Sequence, residues 1–210
     1  MNIFAVNNDP YLSAYQLPDK HVVKMPLETC QMLSIVYSDW YHSIGQIFKS
    51  DGTPYKTEKG AFRNHPCTKW VAESNHNIAW LIEHGIALCE EYTYRYDKKH
   101  GCEDSIRFAA AIAPEGCSAR HTPFARAMPD KWKFDYDIPT TLAYRRYVAS
   151  KPWAADNYLR KPERRPVWIG PLTVALQILF LYNIHIDTNK YDYAFRASPS
   201  YYRRFQSISF

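Results

Sequence analysis

Asp19-Lys20-His21-Val22-Val23-Lys24-Met25-Pro26-Leu27-Glu28-Thr29-Cys30-Gln31 reads as the opening of a long helix running to about Tyr41. Asp19 is placed to cap it, because a carboxylate can accept the open amides of a first turn. Val22, Val23, Met25, Leu27, Met32 and Leu33 supply an apolar side. His21, Lys24, Glu28 and Gln31 recur at offsets of three, seven and ten, which at 3.6 residues per turn fall near one stripe. A carboxylate, an imidazole and an ammonium on one rigid face suit a reaction centre. The plainer alternative is a solvated face with a Lys24–Glu28 pair. Pro26 lacks the amide that the helix ladder needs, so the reading allows a kink between Lys24 and Glu28 or two separate helices.

Outward from this stretch, Ile3–Val6 is a short apolar segment, a small strand or an extended arm. Asp9-Pro10 pairs a capping residue with proline at a first helical position, predicting a short helix over 11–17. Residues 43–62 read as loop, with Lys49, Lys56 and Lys59 making a basic flap. Asn64-His65-Pro66 opens a long apolar-periodic helix over 66–96, in which Gly85 is a point of bending. A shorter helix follows over 103–113, then a loop-like stretch over 115–133, and a helix over 140–149 behind Pro139. Residues 151–165 interleave Lys151, Arg160, Lys161, Arg164 and Arg165 with Trp153 and Tyr158, and Trp168 follows. Basic groups among aromatic rings fit a nucleic-acid surface, and equally an ordinary solvated one. The last 40 residues are ambiguous, with 172–186 readable as a buried strand pair or a helix. These elements predict a mainly α fold: a single compact helical domain over 1–165, with a short extended N-terminal arm and a C-terminal extension over 166–210 packed on it.

Composition narrows the classes of function. The 210 residues, 46 % hydrophobic, suffice for a real core, and the net charge of +5 suits an anionic partner. Seventeen tyrosines and six tryptophans serve cores, interfaces and base-stacking surfaces alike. Five cysteines at 30, 67, 89, 102 and 117 form no Cys-x-x-Cys pair, which argues against a disulfide framework or zinc knuckle and for a reducing compartment. Asn7, Asn8 and Asp9 interrupt any secretory leader, and the apolar run over 169–184 is too short and broken for a membrane span. A phosphate-binding glycine loop, a dinucleotide fingerprint, a nucleophile elbow, a His-Glu-x-x-His zinc site and a deaminase motif are all absent. A metal-dependent hydrolase would need at least three groups from among His65, His76, His84 and nearby carboxylates to converge on one point.

The segment Asp19-Lys20-His21 with Glu28 seven residues beyond the histidine resembles the small helical phage pyrimidine-dimer DNA glycosylases with abasic-site lyase activity. That family has an Asp-x-His and a catalytic glutamate on its first long helix, a long central helix, and a later segment with Trp, Tyr and Lys. The counterparts here are 66–96 and 144–153. The resemblance implies a catalytic Glu28, supporting roles for His21, and chemistry begun by the N-terminal amine. The amine attacks the sugar carbon that bears the base and forms a Schiff base, while the glutamate opposes positive charge developing on the sugar. An α-amine titrates at about 7.7–8.0, so a useful neutral fraction exists near pH 7. Lys20, Lys24 and Arg63 would hold the phosphate backbone, and Arg145, Arg146, Lys151 and Trp153 would extend the DNA contact.

Three departures from the family pattern matter. Its amine belongs to a threonine exposed by methionine removal; here position 2 is Asn2, too large for ordinary removal, so the amine would be that of Met1. Arginines expected just before and three beyond the glutamate are Leu27 and Gln31. A monofunctional glycosylase in which Glu28 activates water, a transferase that modifies phage DNA bases, and a non-enzymatic DNA-binding protein therefore stand beside the lyase. The resemblance implies no cofactor and no metal, double-stranded DNA as partner, no membrane, and a cytoplasmic location, that of the host if the gene is a phage's.

Overall fold

The computed structural model describes residues 1–114 and 122–170. The sequence-based readings of 115–121, of 172–186, and of all but the first five residues of the 166–210 extension lie outside these. The described residues form seven α-helices and no strand: α1 Pro10–Tyr15, α2 Asp19–Val36, α3 Pro66–Ala72, α4 Asn75–Tyr96, α5 Glu103–Ala111, α6 Asp130–Lys133 and α7 Thr140–Ala149. The mainly α expectation holds.

Helix α2 is central. Val22, Met32 and Leu33 are fully buried in one core with Val71 of α3, Leu81 and Leu88 of α4, and Ile106 of α5. Its start corrects the capping assignment. Pro18 precedes the first helical residue, and Asp19 lies inside the helix with its carboxylate committed elsewhere. The first amides are capped instead by Asn157, whose backbone carbonyl accepts the Asp19 N–H at 2.8 Å and whose Oδ1 accepts the Lys20 N–H at 2.8 Å. The helix also ends at Val36, short of Tyr41. There the chain folds back, and the Val36 and Tyr37 carbonyls accept amides from His42, Ile44 and Gly45.

Pro26 neither splits α2 nor ends it. The Val23 carbonyl, one turn back, takes a hydrogen bond from His100 Nε2 at 3.0 Å. The other ring nitrogen, Nδ1, accepts the Cys102 N–H at 3.1 Å, which fixes the tautomer. A partner from beyond α4 thus supports the turn that the proline weakens.

The expected single helix over 66–96 is two. Ser74 is extended (φ −160°), and its Oγ accepts the Asn77 N–H at 3.2 Å to start α4. Asn77 Nδ2 donates to the Trp70 carbonyl at 2.6 Å, closing α3. Gly85 sits inside α4, which continues past it, and marks where α4 meets α2. A Cβ there would lie 2.7 Å from Thr29 Cγ2 and 3.2 Å from Ile106 Cδ1. The absent side chain lets the two helices approach this closely.

The residues before α1 are neither a strand nor the expected extended arm: the chain turns at Phe4, whose carbonyl accepts the Val6 N–H at 2.7 Å, bends again over 6–9, and buries Ile3, Ala5 and Val6. Helix α1 begins as expected, with Asp9 Oδ1 accepting the Tyr11 and Leu12 amides and Pro10 at the first turn. Residues 43–62 are loop apart from one 3₁₀ turn, Lys56–Lys59. At the chain's described end, Ile169 is buried and Trp168 Nε1 reaches Gln16 Oε1 at 3.4 Å. The four described cysteines, at 30, 67, 89 and 102, are buried free thiols.

Candidate active site

The N-terminal residues are tied down by one side chain. Asn2 Oδ1 accepts the Ile3 N–H at 2.8 Å and the Phe4 N–H at 3.0 Å, while its Nδ2 donates to the Ala127 carbonyl at 2.6 Å. The tight fold puts Phe4 in the left-handed region, φ +39°. Ser13 Oγ accepts the Val6 N–H at 3.1 Å, and Arg145 Nε donates to the Val6 carbonyl at 2.7 Å. The Met1 side chain is 2 % exposed, with Thr68 Oγ1 3.6 Å from its sulfur. These ties carry the Met1 amine to 3.8 Å from Glu28 Oε2.

Glu28 is a buried carboxylate, 8 % exposed, at the meeting of two cations. Lys24 Nζ lies 3.3 Å from Oε1 on the solvent side, and the Met1 amine faces Oε2. His65 borders the pair. Its Nδ1 accepts the Cys67 N–H at 3.2 Å and caps α3. Burial first, then the Met1 amine, push the His65 imidazole below its ordinary pKa, against a smaller opposite pull from Glu28. The carboxylate, the amine and a neutral imidazole are therefore neighbours across α2, the chain start and α3.

His21 stands on the same stripe of α2 but in drier surroundings. The Phe4 ring meets it edge-on at 4.3 Å and Trp153 lies at 5.5 Å. Burial, then Lys151 and Lys24, pull its pKa down to about 3, so the ring is neutral at pH 7. Its Nδ1 is buried with no hydrogen-bond partner among the described residues. Around it gather Lys20, 4.6 Å over the Trp153 ring, and Lys151, 4.2 Å over Tyr147 and 5.8 Å from both Phe4 and Trp153. The structure thus brings Lys20, Lys24, Lys151 and Trp153 to the stretch of α2 that carries His21 and Glu28.

The three arginines named with them make other contacts within the chain. Arg145 turns inward to the Val6 carbonyl. Arg146 is exposed and paired with Asp135 at 3.4 Å. Arg63 lies on the turn before α3, with its guanidinium 4.3 Å over Trp40. The sequence reading missed Asn2 and Phe4, for which the chain carries no local signal. It read His65 as a helix start and as a candidate metal ligand, not as a neighbour of Glu28. Among the described residues no three His, Cys, Asp or Glu groups gather as metal ligands, so His65, His76 and His84 do not make the centre of a metal hydrolase. His84 is instead stacked on Trp80, with ring centroids 4.8 Å apart. Nor is any helix of the described residues long and apolar enough to cross a membrane.

A carboxylate facing a primary amine, beside a basic and aromatic surface, pairs a group that can oppose positive charge with a potential nucleophile. Residues 1–104 match the family model described as pyrimidine dimer DNA glycosylase. The matched stretch, which holds Met1, His21, Glu28 and His65, is thus similar to that family. No curated protein and no solved structure matches the chain.

Proposed function

We propose that the protein is a DNA N-glycosylase with abasic-site lyase activity, acting on a damaged or modified pyrimidine in double-stranded DNA in the cytoplasm. The Met1 amine attacks the sugar C1′, and the bond from C1′ to the base breaks, the base leaving with the electron pair. Loss of a proton from the nitrogen and opening of the sugar ring give the Schiff base. Glu28 opposes the positive charge on the sugar and then accepts the proton whose loss expels the 3′ phosphate. Neutral His21 offers a ring nitrogen to the sugar or phosphate, while Lys20, Lys24 and Lys151 hold the backbone and Trp153 stacks. The observation that carries this reading is the 3.8 Å approach of the Met1 amine to a buried Glu28 carboxylate.

The test is borohydride trapping on duplexes carrying a cyclobutane dimer, uracil, 5-hydroxymethyluracil or an abasic site. An adduct mapped to Met1 is the expected result, and the lesion that gives it names the base. Free base without an adduct would replace the amine by water activated at Glu28. Neither product would favour the second reading, a DNA-binding protein in which Glu28 serves only as the partner of Lys24. The shorter Lys24 distance, 3.3 Å, supports that alternative.

A further inference from the structure

Phe62 is an aromatic residue in a backbone conformation that aromatic side chains rarely adopt, φ +65°, and the residue is 57 % exposed. Such strain persists only where the surroundings over-determine it. Here they do. Gly60, at φ +91°, lies flat beneath the Trp40 indole, and a Cβ at that position would sit 2.5 Å from the ring. Arg63 stacks on the other part of this support, 4.3 Å over Trp40, and its Nη1 donates to the Gly60 carbonyl at 3.1 Å. Tyr41 Oη donates to the Arg63 carbonyl at 2.6 Å. The Phe62 carbonyl itself accepts the His65 N–H at 2.9 Å, and His65 is the residue whose ring borders Met1 and Glu28. A clamped turn at the edge of the candidate site therefore displays one apolar ring to solvent, with a guanidinium next to it.

We infer that Phe62 is a wedge: its ring enters the base stack of duplex DNA beside the target nucleotide and fills the space left when that nucleotide is extruded. An enzyme that works on the sugar of a paired base must unstack it, and apolar side chains inserted between base steps lower that barrier. A turn whose backbone is already clamped with the ring facing solvent need not rearrange for insertion, and Arg63 is placed to meet a flanking phosphate. The inference rests on the glycosylase reading for its role but not for its detection.

The experiment uses a dimer-containing duplex with 2-aminopurine beside the lesion, and the full-length protein with Phe62, F62G or F62W. Fluorescence is read on the Glu28→Gln background, where the DNA stays intact. Turnover is read with Glu28 present. F62G is expected to abolish most of the fluorescence rise and to slow dimer turnover by about tenfold or more. Trapping on a single-stranded abasic site, which needs no extrusion, should stay within about twofold. F62W should restore both signals. F62G should melt no lower than the parent, since it removes an exposed ring and its strain. Undiminished fluorescence and turnover in a normally melting F62G would overturn the wedge. A fluorescence rise that F62G abolishes, with no base released and no adduct from the parent, would uphold the wedge and remove the glycosylase reading. Neither fluorescence rise nor turnover from the parent would overturn both.

Discussion

Arg95 Nη1 lies 3.0 Å from Asp19 Oδ1, with both side chains almost completely shielded from water. The same guanidinium pairs with Glu91 at 2.9 Å and donates to the carbonyls of Leu17 and Tyr15. Arg164 closes the far side of Glu91 at 2.7 Å. One cation thus joins the end of α1, the start of α2 and the end of α4. Replacing it with leucine leaves Asp19 without its cation and Glu91 with one instead of two. Arg95→Leu is expected to lower stability by roughly 3–5 kcal/mol in urea unfolding. A loss below about 1 kcal/mol would show that the carboxylates find other partners.

Glu28→Gln keeps the shape of the site and removes the charge. Single-turnover base release should fall by about a hundredfold or more, as when a group that stabilises transition-state charge is removed. DNA affinity by fluorescence anisotropy should hold within about threefold. Equal losses in both would make Glu28 a binding or folding residue.

Two imidazoles predict acid sensitivity. Burial first, with Lys151 and Lys24 adding for His21, brings His21 and His84 down to about 3. The unfolded chain, with ordinary histidines near 6.5, therefore binds more protons between about pH 3 and 6.5. Stability contributed by keeping these rings neutral is full above 6.5 and is lost as the pH falls through that window. Each ring contributes a slope on the order of 1.4 kcal/mol per pH unit there. Urea unfolding at pH 7 and pH 5 should show the loss, and His84→Leu should remove about half of the slope. An unchanged slope in that variant would assign the acid sensitivity to other groups.

The basic residues divide into outward and inward ones. Neutralising Lys20 and Lys151 together should reduce the magnitude of the slope of log affinity against log salt by about 1.8, two phosphate contacts' worth. Arg145→Gln should instead lower the melting temperature, because that side chain holds the Val6 carbonyl. An unchanged slope in the double variant would take both lysines out of the interface.

Much of the helical layout is written locally. Asp9-Pro10 starts α1, and Pro139 followed by Thr140–Ala149 gives α7 at its observed bounds. The stripe of His21, Lys24 and Glu28 follows from helical period alone. What was not legible depends on distant partners. Asp19 has the chemistry of a cap and of an ion-pair partner, and the choice is made by Arg95, 76 positions later. Ser74 interrupts an apolar pattern that runs on through both α3 and α4, so periodicity could not see the break. Asn2 gains its role from Ala127, 125 residues away. A basic side chain such as Arg145 carries no mark of whether it points to solvent or to a carbonyl of its own chain.

The contact between Gly85 and Thr29 bears on how this sequence can change by descent. Alanine at 85 would put a methyl 2.7 Å from Thr29 Cγ2, against the residue next to Glu28. Serine at 29 lacks that carbon. A lineage that first exchanges Thr29 for serine can afterwards accept alanine at 85, with only the more yielding Ile106 Cδ1 to move. The opposite order passes through a form in which the Glu28-bearing helix is forced away from its neighbour. The two positions are open to drift in one direction and closed in the other.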